Sequence, residues 1–457
     1  MSLGKQGAVQ PDLMVTWQDM PRSPGHAFYD RLNEVLGAAG FDRFAEELCA
    51  PFYALVMGRP SIPPGRYFRM LLVGYFEGID SERGIAWRCA DSLSLRSFLG
   101  LGLTEAVPDH STLAKTRARL SLEGHQRVFD WVLRRLAAGG LVKGKRIGVD
   151  ASTMEANAAM RAIVRRESGE SWRQMLTKLA AESGVETPSD DDLRRLDRGR
   201  KAKKKVGNAE WTSPSDPEAR ITRMKDGRTR LAYKPEHAVD LDTGAVVAVD
   251  IHRGDAGDTT TLGATLARAE EGLAAAGVGP TPGAPAELVA DKGYHGRDVL
   301  RDLEDSPWKT RISEPKRREL LRWRGDDRAR RAVYNNRARL LSGVARAAFK
   351  LRAELCERAF AHILDRGRQR RTWLRGRDNV AKRYLVHVAG HNLALLMRAL
   401  TGFGTPKAAA DAARGALFYL QAGDTTLLIL FVILPAGRSA TAVIAITPEP
   451  SPLSTGC

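Results

Sequence analysis

The chain has 457 residues, of which 43% are hydrophobic and 27% charged; this allows two or three packed domains and excludes a disordered composition. Lysine plus arginine number 71 against 54 aspartate plus glutamate, a formal charge of +17, which favours a polyanionic partner, nucleic acid first. Cys49, Cys89, Cys356 and Cys457 are scattered without CxxC or Cys/His spacing, and the greasiest run, residues 427–434, is far below the roughly 20 residues that cross a bilayer, so the expectation is a cytoplasmic protein with no zinc site, disulfide framework or membrane partner.

From residue 28 to 136 apolar side chains recur at three and four (Phe68, Leu71, Leu72, Tyr75, Phe76), with stops at Gly and Pro. This predicts a compact helical domain over residues 1–140. Within it Pro108-Asp109-His110-Ser111 is a helix start, with Ser111 as the cap and Lys115, Arg117 and Arg119 on the helix that follows. That helix either enters a DNA groove or is a solvated basic face.

Residues 145–150 read as a short strand ending in Asp150. A polar stretch, 157–226, then reads as an insertion, its basic run 194–205 as a flexible loop and Ser213 to Pro217 as turn chemistry without a core. Runs 229–240 and 244–251 alternate across Asp242-Thr243-Gly244 and predict a hairpin. A helix over 260–275 leads to the apolar strand 286–290, which delivers Asp291. A helix at 297–303, a strand at 309–312 and a long helical region past Val333 to about 364 follow, the last carrying Glu357. The order predicts an α/β fold, an RNase H-like mixed sheet with flanking helices behind an all-α N-terminal domain; other α/β arrangements share that order.

Cutting a phosphodiester calls for divalent cations, and such hard cations take carboxylate oxygens. Asp150 and Asp291 at strand ends and Glu357 on the last helix form a candidate set, with Asp240, Asp250, Asp255 and Asp258 as competing acids near strand ends. Glu357 is preferred to Glu354 because Ala353, Phe360 and Ala361 lie one turn away from it, whereas Glu354 neighbours Lys350 and Arg358. Each acid singly also fits a turn, a cap or an ordinary ion pair.

Three blocks carry a resemblance. The first begins at Gly58-Arg-Pro-Ser-Ile-Pro-Pro and runs through GYFEGIDSERGIAWRCADSLSLRSFLGLGLTEAVPDHSTLAKTRARL; the second pairs Gly148-Val-Asp150-Ala-Ser-Thr with Ala290-Asp291-Lys-Gly-Tyr294; the third is Arg352-Ala-Glu-Leu-Cys-Glu357-Arg-Ala-Phe360, followed by Arg375-Gly and Asn392-Leu. Over residues 15–403 the chain resembles the DDE transposases of bacterial insertion sequences, with a catalytic domain at 141–403. The resemblance implies Asp150, Asp291 and Glu357 as catalytic residues and ligands of two Mg²⁺ ions, for which Mn²⁺ can substitute. It also implies double-stranded DNA partners, namely terminal inverted repeats and target, and cleavage of transposon ends followed by strand transfer. Pairing two ends implies a homodimer. Arg352 resembles the basic companion of the glutamate, expected to grip a phosphate by a forked contact.

The chain departs from the family in offering Phe349 and Leu364 where a tyrosine and a lysine are usual, with Arg366, Arg368 and Arg370 as substitutes. After residue 403 the tail, 404–457, is atypical, and a frameshift is the expectation there. The alternatives are an RNase H-like nuclease without strand transfer and an inactive or domesticated DNA-binding relic.

Overall fold

The computed structural model describes residues 26–54, 61–185, 187–199, 207–224, 226–316, 323 and 325–421. Among the described residues seven α-helices precede the sheet: α1 (His26–Ala38), α2 (Phe41–Cys49), α3 (Pro64–Phe76), α4 (Glu82–Ala90), α5 (Leu93–Phe98), α6 (His110–Arg119) and α7 (Leu122–Ala138). Their starts follow from local chemistry. Ser81, Ser92 and Ser121 each accept a main-chain N–H in the first turn of α4, α5 and α7. At α6 the cap is Asp109 and not the expected Ser111: Asp109 is extended (φ −74°, ψ 159°) and its carboxylate accepts the Ser111 N–H at 2.6 Å, while Ser111 already lies inside the helix.

The strands are β1 (Arg146–Ala151), β2 (Met154–Glu155), β3 (Val164–Arg165), β4 (Trp211–Thr212), β5 (Arg220–Arg223), β6 (Thr229–Asp240), β7 (Val246–Arg253), β8 (Ala286–Ala290) and β9 (Trp308–Ile312). The central order is β7-β6-β1-β8-β9, with β6 antiparallel to both neighbours and β8 parallel to β1 and β9. This is an RNase H-like mixed sheet, and the predicted hairpin is its β6–β7 pair. Helix α10 (Asp258–Ala275) covers one face, and α13 (Gly343–Phe360) covers the other. Beside β9 lie α11 (Arg297–Leu303) and α12 (Asp327–Leu340), and along β7 runs α14 (Arg377–Thr401).

Both outer strands are clamped by a fully buried asparagine. Asn392 of α14 accepts from Val246 N at 3.0 Å and donates to Val246 O at 2.8 Å. Asn336 of α12 does the same to Ile312, at 3.0 and 2.9 Å. Each asparagine satisfies two main-chain groups that would otherwise be stranded at a covered sheet edge.

Helix α14 also joins the helical layer to the sheet. Its Lys382 donates to the Arg117 carbonyl at 3.2 Å and Arg383 to the Ile79 carbonyl at 3.0 Å. Buried apolar side chains from Phe28 to Ala409 form one continuous core.

The region expected as one long helix is broken. Ser342 caps a new start, accepting from Ala345 N at 3.3 Å, and α13 passes into a π-helical turn at Ala361–Arg366. The polar stretch 157–226 is structured in part, holding α8 (Trp172–Glu182), α9 (Asp190–Gly199) and the β3–β4 pair. Ser213 to Pro217 is not coreless: Ser213 and Asp216 are fully buried, and Asp216 accepts from the Tyr233 hydroxyl at 2.7 Å. The polar sequence misleads there because the burial is stabilised by hydrogen bonds instead of apolar contact. Residues 200–205 of the basic run and the tail beyond α15 (Pro406–Gln421) lie outside the described residues.

Two predictions follow from this packing. Asn392→Ala should destabilise the fold by about 2–4 kcal/mol in urea unfolding, since two buried main-chain groups lose their partners. Burial lowers the pKa of His125 to about 4 and of His237 to about 3, so both are neutral in the folded protein. Because the unfolded chain binds those protons first, the thermal midpoint should hold above pH 6.5 and fall as the medium is acidified from there toward pH 4.

Candidate active site

Strand register brings the first two acids together. β1 and β8 run parallel with Gly148 opposite Val289, and two residues further along each strand stand Asp150 and Asp291. Asp150 lies opposite His237 on β6, whose ring stacks on Phe360 of α13 at 4.1 Å, so Asp150 belongs to the α13 face. Asp291 ends β8 and caps a single 3-10 turn, Lys292–Tyr294, by accepting from Gly293 N at 2.8 Å.

Arg352 of α13 reaches between them. Its guanidinium is 2.9 Å from Asp150 Oδ1 and 3.8 Å from Asp291 Oδ2, and its Nε donates to the Val149 carbonyl at 2.9 Å. Space beside β1 is short at position 148, where a Cβ would lie 2.7 Å from Leu241 Cδ2 and 3.3 Å from Arg352 Cγ, and glycine fits. The guanidinium supplies the positive charge that lets two carboxylates share neighbouring strand ends. Arg352, expected to make a forked phosphate contact, is buried and bonded to the protein's own Asp150 and Val149 carbonyl.

Glu357 lies on the same helix, exposed, next to buried Cys356. Burial first, then the Asp150 charge, holds the Cys356 thiol above its ordinary pKa, with Glu357 adding to the effect. Glu354 is ion-paired with Arg358, one turn along. Asp150 and Asp291 are thus brought together, while Glu357 is exposed on α13 five residues after Arg352; among the described residues no three His, Cys, Asp or Glu side chains form a ready metal cluster. Two carboxylates converging at adjacent strand ends do fit a hard divalent cation.

The competing acids have other work. Asp240 is buried and accepts from the N–H groups of Lys143, Gly144 and Asp242. Asp255 pairs with Arg253 at 2.9 Å, and Asp258 pairs with Lys234 at 2.6 Å. Sequence reasoning missed Glu236, fully buried on the α10 face, which accepts from Thr261 at 2.8 Å, Thr265 at 2.5 Å and Tyr294 at 2.8 Å. Burial alone would raise its pKa, but His252, Thr265, Tyr294 and Thr261 outweigh that and keep it low. The sequence carried no clear signal for it, since β6 reads Lys234-Pro235-Glu236-His237 around it and not an apolar run.

On α6, Lys115 and Arg119 are exposed, and Arg119 lies over the Tyr53 ring at 4.8 Å. Arg117 is turned inward instead: its side chain is 11% exposed and paired with Glu82. Helical spacing explains this, because Leu113, Thr116 and Leu120 mark the packed face and residue 117 is one turn from Leu113. Beyond the π-helical turn, Arg366, Arg368, Arg370, Arg371, Arg375 and Arg377 are exposed, and Arg370 reaches Ser152 Oγ at 3.3 Å, two residues past Asp150.

Two family models match the chain: a transposase domain of the DUF772 type over residues 17–119 and a transposase DDE domain over residues 196–393. The chain belongs to the DDE transposases. The matched DDE span contains Asp291 and Glu357, whereas Asp150 lies between the two spans. No curated protein and no solved structure matches the chain. In this transposase helices α1–α6 fall within the first model and the main-sheet strands from β5 onward within the second. Among the described residues no helix is long and apolar enough to cross a membrane.

The position of Arg352 predicts a stability effect. Arg352→Leu leaves Asp150 and Asp291 facing each other and the Val149 carbonyl unpaired, and should cost about 3 kcal/mol in urea unfolding at neutral pH. That deficit should shrink as the carboxylates are protonated in acid.

Proposed function

We propose that this transposase cuts the ends of its insertion sequence and joins them to target DNA at a centre formed by Asp150, Asp291 and Glu357. The observation that carries this assignment is the β1–β8 register, which sets the first two acids side by side within an RNase H-like sheet. DDE transposases work with divalent cations, and such cations activate the attacking oxygen and neutralise the leaving one when bound. Asp150 and Asp291 would hold two Mg²⁺ or Mn²⁺ ions, with Glu357 completing one site from the flank of α13. Arg352 keeps the two aspartates aligned from within the protein.

The scissile strand then lies along the exposed arginines of residues 366–377, beside Ser152, where phosphate contacts position DNA without reading its sequence. Lys115 and Arg119 on α6 present a second basic surface for the terminal repeat. Joining needs two ends at once, so the active complex is at least a homodimer.

The test uses purified wild type, Asp150→Asn, Asp291→Asn and Glu357→Gln on labelled duplex carrying the element's own ends, with Mg²⁺ or Mn²⁺. Cut and joined products should form with wild type and vanish in all three variants. Affinity for the ends should stay within about twofold and fall steeply with salt in every protein, since basic side chains supply the phosphate contacts. Cutting without joined products would make the protein a nuclease, and an active Glu357→Gln would remove Glu357 from the centre.

A further inference from the structure

We infer that Glu236 and Tyr294 are positioning residues that hold the Asp291 turn in its metal-binding geometry from the face of the sheet opposite Arg352. The inference rests on the assignment of Asp291 as a metal ligand. It starts from Glu236, a carboxylate with no exposed surface in the middle of β6. Such a group is costly unless its oxygens are hydrogen-bonded, and here both are. Oε1 accepts from Thr261 Oγ1 and from the Tyr294 hydroxyl, each at 2.8 Å, and Oε2 accepts from Thr265 Oγ1 at 2.5 Å. Lys234 Nζ stands 3.8 Å from Oε1 and His252 Nε2 3.5 Å from Oε2.

Four of these five partners come from elements already fixed by pairing or packing, Lys234 on β6, His252 on β7 and both threonines one turn apart on α10. Tyr294 is different. It ends the single turn Lys292–Tyr294 that Asp291 caps, so its hydroxyl is the point at which the Glu236 network reaches the turn. The turn is packed on a second side by Asp258: a Cβ on Gly293 would lie 2.3 Å from Asp258 Oδ2 and 3.1 Å from Asp291 Oδ1. Asp258 is in turn held by Lys234 at 2.6 Å. Lys234 therefore stands near both acids and ties the two supports together.

Asp291 follows a five-residue strand with nearly half its side chain exposed, and among the described residues its carboxylate is otherwise oriented by its own turn and the 3.8 Å approach of Arg352. A ligand held this lightly binds a cation well only when its outer partners restrict its orientation. The Tyr294–Glu236 bond does so without touching the cation or DNA, because both groups are buried beneath the sheet.

Mn²⁺ alone is titrated into full-length protein, with free ion followed by electron paramagnetic resonance, for wild type, Tyr294→Phe, Glu236→Gln, Asn392→Ala and Asp291→Asn. Tyr294→Phe keeps the ring and removes only the tether; it should weaken Mn²⁺ binding about tenfold, the lower end of what outer-partner changes do to metal sites. Glu236→Gln keeps the shape and should weaken binding in the same sense. Asn392→Ala, destabilised at the remote β7 edge, should bind Mn²⁺ as wild type does. Wild-type affinity in Tyr294→Phe, or an equal loss in Asn392→Ala, would overturn the inference. If Asp291→Asn itself binds as wild type, the metal-centre assignment fails and this inference fails with it.

Discussion

Two carboxylates at the ends of neighbouring parallel strands repel one another, and much of this transposase can be understood as the means of keeping Asp150 and Asp291 there. The backbone does the first part, because parallel pairing of β1 and β8 leaves no choice about which residues end side by side. Arg352 does the second by placing a buried guanidinium within ion-pairing distance of both. Gly148 leaves room beside it, since a Cβ there would crowd Leu241 and the Arg352 side chain. A chain of small requirements therefore runs from a glycine, through an arginine, to the spacing of two acids.

The sheet has to be rigid for that spacing to mean anything. Its edges are the weak points of any open sheet, and here each edge is tied to a helix by an asparagine that makes both hydrogen bonds to a single residue. Asn392 does this from α14, the same helix whose Lys382 and Arg383 bond to carbonyls of the N-terminal helices. The basic surface of α6 is thus fixed relative to the acids through one long helix.

The two faces of the sheet contribute differently. The α13 face supplies charge to the acids through Arg352, while the α10 face supplies a buried network around Glu236 that ends at Tyr294, three residues from Asp291. Between the faces, the arginines beyond the π-helical turn border the same strand ends, with Arg370 touching Ser152. Acids, supports and basic groups are drawn from segments more than 200 residues apart in the chain.

The sequence by itself determined the strand that ends in Asp150, the β6–β7 hairpin, the strand that delivers Asp291 and the short helix at Arg297–Leu303, because those elements follow from local alternation, turn residues and periodicity. It also carried the family, through blocks of residues that stay together along the chain. Tertiary structure alone decided the roles of single charged side chains. Arg117 and Arg352 look alike in composition to any arginine on a basic helix, yet Arg117 faces Glu82 and Arg352 faces Asp150, since burial depends on which surface another element covers. Glu236 and Asp216 were invisible for the same reason: a buried carboxylate is stabilised by donors from distant segments, and no local pattern records where those donors will be.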